Sequence, residues 1–238
     1  MINLYNDILQ SKAANQKLLA ILIDPDKIEL RNVLALAQKI KNSPATHIFV
    51  GGSSVENNIL DALIQQLKKD IKLPILLFPG NPSQISAEAD GILFLSLISG
   101  RNPDYLIEHQ VNAVPILKKT NLEIIPTGYI LIESGHETSV SRVSKTQPLD
   151  RNNFNYVLQT AQAGEMLGKK LIYLEAGSGA KQTVPLEMIA LVSKNTSIPL
   201  LVGGGIKDKI GIEKAHEAGA DIVVIGTAFE NNLDFFNS

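Results

Sequence analysis

A single carboxylate, Glu175, stands at the end of the apolar run 171–174 and just before two glycines, Gly177 and Gly179. Tyr173 lies two residues earlier, so the two side chains point to the same side if the run is a strand. A carboxylate in such a place can orient a substrate hydroxyl or accept its proton during attack. The alternative is a structural acid that pairs with a lysine across the strand ends. The residues alone leave both interpretations open.

Glycine turns follow two later apolar runs, in the segments VGGGIKD and IGTAFE. Backbone N–H groups in such turns can approach an anion closely, and a helix N-terminus adds partial positive charge. The simpler interpretation is that residues 203–205 only make a tight turn. Both turns fall in the last two strand–helix units, where α/β barrels commonly bind phosphate, so together they favour a phosphate site. A dinucleotide fingerprint fits less well, because Gln182 stands where the segment 177–179 would need a third glycine.

Oxygen-bearing side chains also follow the first two apolar runs, Asp24 in IDPDK and Ser53 in VGGSS. Carboxylate and hydroxyl oxygens suit Mg²⁺, which takes one or two protein ligands and completes its shell with water and substrate phosphates. On neighbouring strands, Asp24 and Ser53 could share such an ion. Asp24 before Pro25 is also a good helix N-cap, so a purely structural role stays open.

All these groups follow short apolar runs that alternate with segments of helical periodicity. The runs lack the alternation of a strand with one exposed face, which favours a parallel sheet covered by helices. The predicted strands are 18–23, 47–50, 74–77, 91–95, 123–132, 171–174, 199–202 and 221–225. The predicted helices are 30–40, 59–67, 103–117, 153–167, 185–192 and 208–218. Eight such strands predict a closed (β/α)8 TIM barrel, whose working face lies at the C-terminal ends of the strands.

Two segments break this alternation. FPGNPSQISAEAD, between the third and fourth predicted strands, contains two prolines, a glycine and an asparagine and leaves little room for a helix. We therefore expect a barrel whose third helix is missing or replaced by an extended segment. The polar segment 133–153 has almost no apolar periodicity. Loops of that length in a compact domain are usually lids, binding loops or disordered.

Length and composition narrow the class of protein. The chain has 238 residues, which suits one TIM-barrel domain over residues 1–238. Its formal net charge of −2 gives no basic excess for nucleic-acid binding. It has no cysteine, which excludes disulfides and thiolate chemistry and suits a reducing cytoplasm. The sequence gives neither a secretory signal nor an apolar run long enough for a transmembrane segment, so we expect a cytoplasmic protein.

The ordered set LIDPDK, FVGGSS, YLEAGSG, LLVGGGIKD and VVIGTAFE resembles the geranylgeranylglyceryl phosphate synthase family, which also includes the bacterial heptaprenylglyceryl phosphate synthases. The resemblance runs from Leu22 to Glu230. PTGYILI and LSLISGRNP are similar to the second of the family's two main groups. The resemblance implies a barrel without its third helix, in agreement with the gap described above.

The resemblance also implies a prenyltransferase of phospholipid and ether-lipid biosynthesis. Such an enzyme joins the C3 hydroxyl of sn-glycerol 1-phosphate to C1 of a polyprenyl diphosphate, here expected to be geranylgeranyl diphosphate, and releases diphosphate. It implies Mg²⁺ held by Asp24 and Ser53, with Glu175 and Tyr173 at the reacting hydroxyl. The glycerol phosphate site would consist of Tyr173, Leu174, Glu175, Ala176, Gly177, Ser178, Gly179, Gly204, Gly205, Gly226 and Thr227.

One position departs from the resemblance. The other main group carries a lysine two residues before the metal aspartate, and Leu22 stands there in this chain. The phosphate contact must therefore come from the backbone or from elsewhere, with Lys207 as one source. For the prenyl tail, the candidate groove residues are Pro79, Phe94, Leu97 and Ile98.

Family members form dimers and hexamers, so the resemblance implies a homo-oligomer, and a transient contact with a membrane surface is compatible with a lipid donor. Two other functions stay open. One is a different phosphate-sugar barrel enzyme, such as an isomerase or lyase, which would need a second acid or base facing Glu175. The other is a barrel that binds a phosphorylated ligand without catalysis.

Overall fold

The computed structural model describes residues 3–52 and 57–236 of the chain. Its parallel strands form a closed barrel of eight, in which each strand pairs with the next along the chain and the last pairs with the first. The strands are β1 Leu18–Ile23, β2 His47–Val50, β3 Ile75–Leu77, β4 Gly91–Leu97, β5 Glu123–Leu131, β6 Leu171–Glu175, β7 Leu200–Gly203 and β8 Ile222–Ile225. The predicted TIM barrel is confirmed.

Helices surround this barrel, and each predicted helical segment contains one of them. They are α1 Leu4–Ala13, α2 Val33–Lys41, α3 Asn57–Asp70, α4 His109–Leu117, α5 Ser139–Ser144, α6 Phe154–Met166, α7 Leu186–Asn195, α8 Lys209–Glu217 and α9 Thr227–Asn231. A wide π-type turn, Asp104–Glu108, leads into α4. Within residues 3–52 and 57–236, no helix has the length and apolarity needed to cross a membrane.

The connection from β3 to β4, residues 78–90, contains no helix, as the sequence predicted; the structure describes all of it. Pro79 and Pro82 provide no backbone N–H to helical hydrogen bonds. The Gln84 side chain instead accepts a hydrogen bond from the Gly80 N–H at 2.8 Å, which holds the segment in an irregular conformation. The barrel wall beside β3 and β4 therefore lacks the helical cover that the other strands have.

The polar segment 133–153 is more ordered than its composition indicated. It contains α5, and the side chains of Thr138 and Ser141 cap its first turn reciprocally. Its end returns to the barrel through a parallel bridge between Ile132 and Leu149. Apolar periodicity did not predict this short helix, because capping and contact with the barrel stabilise it rather than a long apolar face.

Side chains of the strands alternate between the barrel interior and the layer under the helices. On β6, Leu171 and Tyr173 belong to the interior cluster, whereas Ile172 and Leu174 belong to the outer layer. This period of two places Tyr173 and Glu175 on the interior side, as predicted. The strands have apolar residues on both faces because helices cover the outside while side chains fill the inside.

Helix α1 closes the N-terminal end of the barrel, opposite the working face. Leu4 and Ile8 are buried in the interior cluster. The Glu123 carboxylate, at the start of β5, accepts hydrogen bonds from the backbone N–H groups of Leu4 at 2.5 Å and Tyr5 at 2.9 Å. A carboxylate suits this place because the N-terminus of a helix carries partial positive charge.

We predict that Ile8→Ala lowers the free energy of unfolding by about 2–5 kcal/mol, since it leaves a cavity in the barrel interior. Ile8 is 1% exposed, and its neighbour Leu9 is 36% exposed. The control Leu9→Ala should change that free energy by less than about 0.5 kcal/mol. Urea unfolding followed by circular dichroism measures both. Equal losses in the two variants would contradict the placement of α1 against the interior.

Candidate active site

A cavity of about 660 Å³ lies at the C-terminal ends of the strands. Residues that follow β1, β2, β3, β6, β7 and β8 all contribute to its lining. Of the predicted site residues that the structure describes, those lining it are Asp24, Tyr173, Glu175, Gly177, Ser178, Gly179, Gly204, Gly205, Gly226 and Thr227. The structure therefore brings most of the predicted site into one space.

Two predicted site residues, Leu174 and Ala176, point away from the cavity, on the outer face of β6 and of the turn after it. A third, Ser53, lies outside the described residues. Leu174 and Ala176 are fully buried in the outer layer, so only their backbone faces the site region. The Ala176 N–H donates to the Gly203 carbonyl at 3.1 Å, which ties the turn after β6 to β7. Ser53, the second predicted magnesium ligand, lies within residues 53–56 and stays a prediction.

Glu175 is 6% exposed and ends β6 at the floor of the cavity. Its Oε1 accepts a hydrogen bond from the Gly177 N–H at 2.7 Å. Burial raises the pKa of the Glu175 carboxyl, and the nearby Tyr173 hydroxyl and the Gly177 N–H offset this only in part. A carboxylate with a raised pKa is a better proton acceptor than an exposed one.

Tyr173 presents a buried hydroxyl beside this carboxylate. Within the described part of the chain, its Oη has no hydrogen-bond partner of normal geometry. Burial, with the charge of Glu175 adding to it, holds the pKa of the hydroxyl well above its usual value, so the hydroxyl stays neutral. A buried polar atom without a partner costs free energy unless a ligand or water satisfies it. The pair therefore offers one donor and one acceptor to a ligand.

Two aromatic rings that the sequence did not single out enclose this pair. The rings of Tyr129 and Tyr173 lie 5.4 Å apart, and the Phe78 ring lies 5.9 Å and 5.6 Å from them respectively. Tyr129 stands in register with Tyr173 on the adjacent strand β5. That register was the missing information, because strand predictions alone do not say which residues are neighbours across a sheet.

The turns after β6 and β7 require glycine because of both backbone conformation and space. Gly204 has φ +85°, in the left-handed region, and a Cβ there would stand 2.5 Å from Glu175 Oε1 and 2.7 Å from the Ala176 N atom. Gly177 has φ +97°. The tight-turn interpretation of the glycines is therefore correct, and it also leaves the backbone of these turns facing the cavity.

The turn after β8 differs, since Gly226 has no positive φ and the closest atom to a Cβ there would be the Leu22 carbonyl oxygen, 3.5 Å away. An added methyl group would thus occupy cavity space rather than collide with the protein. Across this space, the Ser178 and Thr227 hydroxyls lie 3.2 Å apart. Two glycine-rich turns and two hydroxyls therefore face one another at this side of the cavity.

Asp24 is a helix N-cap and also lines the cavity. Its side chain accepts a hydrogen bond from the Asp26 N–H at 3.2 Å, so it is an N-cap, and it also lines the cavity beside Gly52. Lys27 approaches it at 3.5 Å and bonds Glu230 at 2.8 Å. Although partial burial opposes it, the bond with Glu230 raises the pKa of Lys27, so the ammonium stays charged.

The donor set around Asp24 fits a magnesium ion that is completed by the substrate. Within the described residues, no three His, Asp or Glu side chains converge on one point. Mg²⁺ usually keeps waters and binds through one or two carboxylates plus substrate phosphates, so a single aspartate at the cavity wall meets the protein's share. Glu230, on α9, is a second carboxylate there that sequence reasoning missed, although it ends the quoted segment VVIGTAFE.

The opposite side of the cavity is apolar and lies where the third helix is missing. Pro79, Phe94 and Leu97 line it, as predicted. Ile98 does not, because its side chain packs toward Gly128 and Gly164, between β5 and α6. Further lining residues that the sequence did not indicate come from the β3–β4 connection, from the turn before α4 and from α5: Ile85, Tyr105, Val140 and Val143.

Leu22 and Lys207 both line the cavity. Leu22 lies beside Gly226, with its Cβ 3.6 Å from the position of a Cβ on that glycine, so it gives the phosphate side an apolar wall. Among the described lining residues, the lysines are Lys27 and Lys207. Lys207 follows the glycine turn of β7 and is the cation closest in sequence to it.

Comparisons with known proteins agree with this geometry. Residues 10–237 match the PcrB family. The chain is 67% identical to the geranylgeranylglyceryl phosphate synthase of Flavobacterium johnsoniae over 238 residues, which cover 100% of this chain and 98% of that protein. It is 49% identical to the protein of the same name from Zunongwangia profunda over 231 residues, covering 97% and 98% respectively.

Solved structures give the same result. The structure is similar to that of (S)-3-O-geranylgeranylglyceryl phosphate synthase from Thermoplasma acidophilum in complex with its substrate sn-glycerol-1-phosphate. The TM-score is 0.93 at 31% sequence identity, and the match covers 100% of this chain and 95% of that chain.

The raised pKa of Glu175 predicts a pH-dependent stability difference. An unfolded glutamate titrates near 4.5. Because folding raises this pKa, the wild type loses free energy of unfolding as the pH rises from 4.5 through the raised value, whereas Glu175→Gln does not. The melting temperature of the variant relative to the wild type should therefore increase over that window and then level off.

Differential scanning fluorimetry at a series of pH values checks this, with Glu187→Gln on the exposed side of α7 as the control. A difference in melting temperature between Glu175→Gln and the wild type that does not change with pH would contradict the raised pKa of Glu175.

Proposed function

The chain belongs to the PcrB family, and we propose that it transfers a prenyl group to glycerol phosphate. The reaction joins the C3 hydroxyl of sn-glycerol 1-phosphate to C1 of a polyprenyl diphosphate, with geranylgeranyl diphosphate as donor, and releases diphosphate. The observation that carries this proposal is the union of three features in one cavity. They are a buried acid with a free tyrosine hydroxyl, a pair of glycine turns, and a long apolar side.

Both ends of glycerol phosphate, the phosphate and the far hydroxyl, would find hydrogen-bonding partners on the polar side of the cavity. Its phosphate would accept hydrogen bonds from backbone N–H groups of the turns at Gly204 and Gly226 and from the Ser178 and Thr227 hydroxyls. Its far hydroxyl would donate to Glu175. This arrangement explains why Leu22 is compatible with a phosphate site: the turns and hydroxyls supply donors without a lysine at that position.

The bond-forming step then needs only alignment and a proton acceptor. The hydroxyl oxygen supplies the electron pair of the new C–O bond, and the bond between C1 and the diphosphate oxygen breaks with its pair leaving on diphosphate. The proton of the hydroxyl passes to the Glu175 carboxylate, whose pKa burial raises. Holding the hydroxyl in line with C1 can contribute about 7–11 kcal/mol at best, because it removes the entropy of bringing the reactants together.

We propose Mg²⁺ as the cofactor, held by Asp24, with Ser53 as the second predicted ligand. When bound, Mg²⁺ would stabilise the negative charge that develops on the leaving diphosphate more than the charge of the ground state. The position of Asp24 supports this, since it lies on the cavity wall next to the glycine turn after β8, through the bond of its backbone N–H to Glu230.

The apolar side of the cavity suits the prenyl tail. Phe94 and Leu97 from β4 line it together with Pro79 and Ile85 from the helix-free connection. A chain lying there would also exclude water from an allylic cation, which water would otherwise convert to the prenyl alcohol.

The alternative isomerase or lyase requires a second acid or base against Glu175. The described titratable groups whose pKa responds to Glu175 are Tyr129 and Tyr173, and burial keeps both hydroxyls neutral, so this alternative gains no support.

We also propose that the protein is a homo-oligomer. Ile107, Val111 and Val114 expose apolar side chains at helical spacing on α4 and the turn before it. An exposed apolar stripe of this kind is typical of protein–protein contacts, and covering it would also shield the wall of the apolar cavity.

The direct test is an assay of the purified protein with Mg²⁺, sn-glycerol 1-phosphate and a donor series from C15 to C35, in which the prenylglyceryl phosphate product is detected by mass spectrometry. Glu175→Gln is expected to lower kcat by about 10²–10⁴-fold, because it removes the proton acceptor while keeping the side-chain shape. No product from any donor would refute the proposal. Equal turnover by Glu175→Gln would show that Glu175 is not the proton acceptor, and ligand binding without any turnover in the wild type would assign the barrel a binding role only.

A second test addresses the phosphate side. Gly226→Ala should fold with an unchanged melting temperature, because its methyl group meets no protein atom closer than 3.5 Å. The methyl group would occupy phosphate space, so the KM for glycerol phosphate should rise about tenfold or more, the effect of losing a hydrogen bond to a charged group. Gly211→Ala, in α8 outside the cavity, is the control. An unchanged KM for Gly226→Ala would place the phosphate elsewhere.

A further inference from the structure

Three charged side chains meet where the loop after β1 touches α9. The Lys27 ammonium lies 2.8 Å from Glu230 Oε2 and 3.5 Å from Asp24 Oδ2. The other Glu230 oxygen, Oε1, accepts a hydrogen bond from the Asp24 backbone N–H at 3.2 Å. All three residues line the cavity. One lysine therefore stands between two carboxylates, and it lies closer to the one that is not the predicted magnesium ligand.

This arrangement decides how much of Asp24 is available to a cation. Its Oδ1 already accepts the Asp26 N–H, so Oδ2 is the oxygen that Lys27 faces. An ammonium in direct contact with Oδ2 would neutralise the carboxylate and compete with a metal ion for it. The attraction of Glu230 for the same ammonium works against that contact, because the charge-assisted hydrogen bond at 2.8 Å is the shorter of the two.

We propose that Glu230 is a positioning residue for the cation site: it keeps the Lys27 ammonium nearer to its own carboxylate than to that of Asp24 and fixes the Asp24 backbone, so that the Asp24 carboxylate stays available to a divalent cation. The proposal rests on the Mg²⁺ site proposed above.

The position of Glu230 suits this role. Its side chain is only 11% exposed, so its carboxylate is confined more than that of a surface residue. Its own backbone N–H donates to the Gly226 carbonyl at 2.9 Å. The residue that orders Asp24 and Lys27 is therefore attached to the glycine turn on the proposed phosphate side. The two ends of the active site thus share one short helix, α9.

The test measures binding of Mn²⁺ as a probe of the magnesium site, by electron paramagnetic resonance at a fixed concentration of inorganic diphosphate, which supplies the phosphate oxygens that complete the ion's shell. The proteins are the wild type, Glu230→Gln, Lys27→Met, the double variant and Asp24→Asn. Glutamine can still accept the Asp24 N–H bond, so Glu230→Gln removes mainly the charge that holds Lys27. Lys39→Met removes an ion pair with Asp234, and because Lys39 does not line the cavity it serves as the control.

Glu230→Gln is expected to raise the Mn²⁺ dissociation constant about fivefold, the effect of a partly exposed ion pair. Lys27→Met should lower the constant, and adding Glu230→Gln to Lys27→Met should then change it by no more than about twofold. A purely structural role would show no such rescue.

An unchanged constant in Glu230→Gln, or a fivefold loss that persists in the Lys27→Met background, would overturn the inference. Asp24→Asn separates this failure from that of the metal site. If Asp24→Asn binds Mn²⁺ as the wild type does, the metal site itself is wrong and the inference falls with it.

Discussion

The buried carboxylate of Glu175 is the group on which the arrangement of the site depends. A charge that is 6% exposed is costly unless hydrogen bonds compensate it, and the protein provides one from the Gly177 N–H. Space for the carboxylate comes from glycines: a Cβ on Gly204 would stand 2.5 Å from Oε1, and one on Gly203 would stand 2.8 Å from Oε2. The same glycines that make room for the acid thus leave bare backbone beside it. The glycines that make space for the acid would therefore also allow the backbone to bind a phosphate.

The second constraint is the missing third helix. The other connections between strands carry helices, but residues 78–90 do not, and the apolar side of the cavity lies at this gap. Pro79 and Ile85 line the cavity directly because no helix stands in front of them. The cavity has a polar end at β6, β7 and β8 and an apolar end around β3 and β4. It therefore suits two substrates of which one is polar and the other carries a long apolar chain. We propose that the chemistry takes place at their junction, near Phe78, Tyr129 and Tyr173.

The sequence was informative where function follows from local pattern. Strand ends, glycine turns and the proline-rich gap are local signals, so the barrel, the absent helix and the location of Glu175, Tyr173 and Asp24 were all predictable. Contacts set by register and by long-range packing were not. Tyr129 faces Tyr173 only because β5 and β6 pair in one register, and Glu230 reaches Asp24 only because the barrel closes between β8 and β1. Leu174 and Ala176 show the limit of a motif, since half of a strand segment points away from the site.

In the proposed site, one ligand is held at both ends, its phosphate at the glycine turns and its terminal hydroxyl at Glu175. Isothermal titration calorimetry with sn-glycerol 1-phosphate and with the analogue that lacks the C3 hydroxyl tests this arrangement. The analogue should bind roughly ten- to a hundredfold more weakly to the wild type, since a hydrogen bond to a charged group is lost. This difference should largely disappear in Glu175→Ala. Equal affinity of the wild type for both ligands would contradict this arrangement.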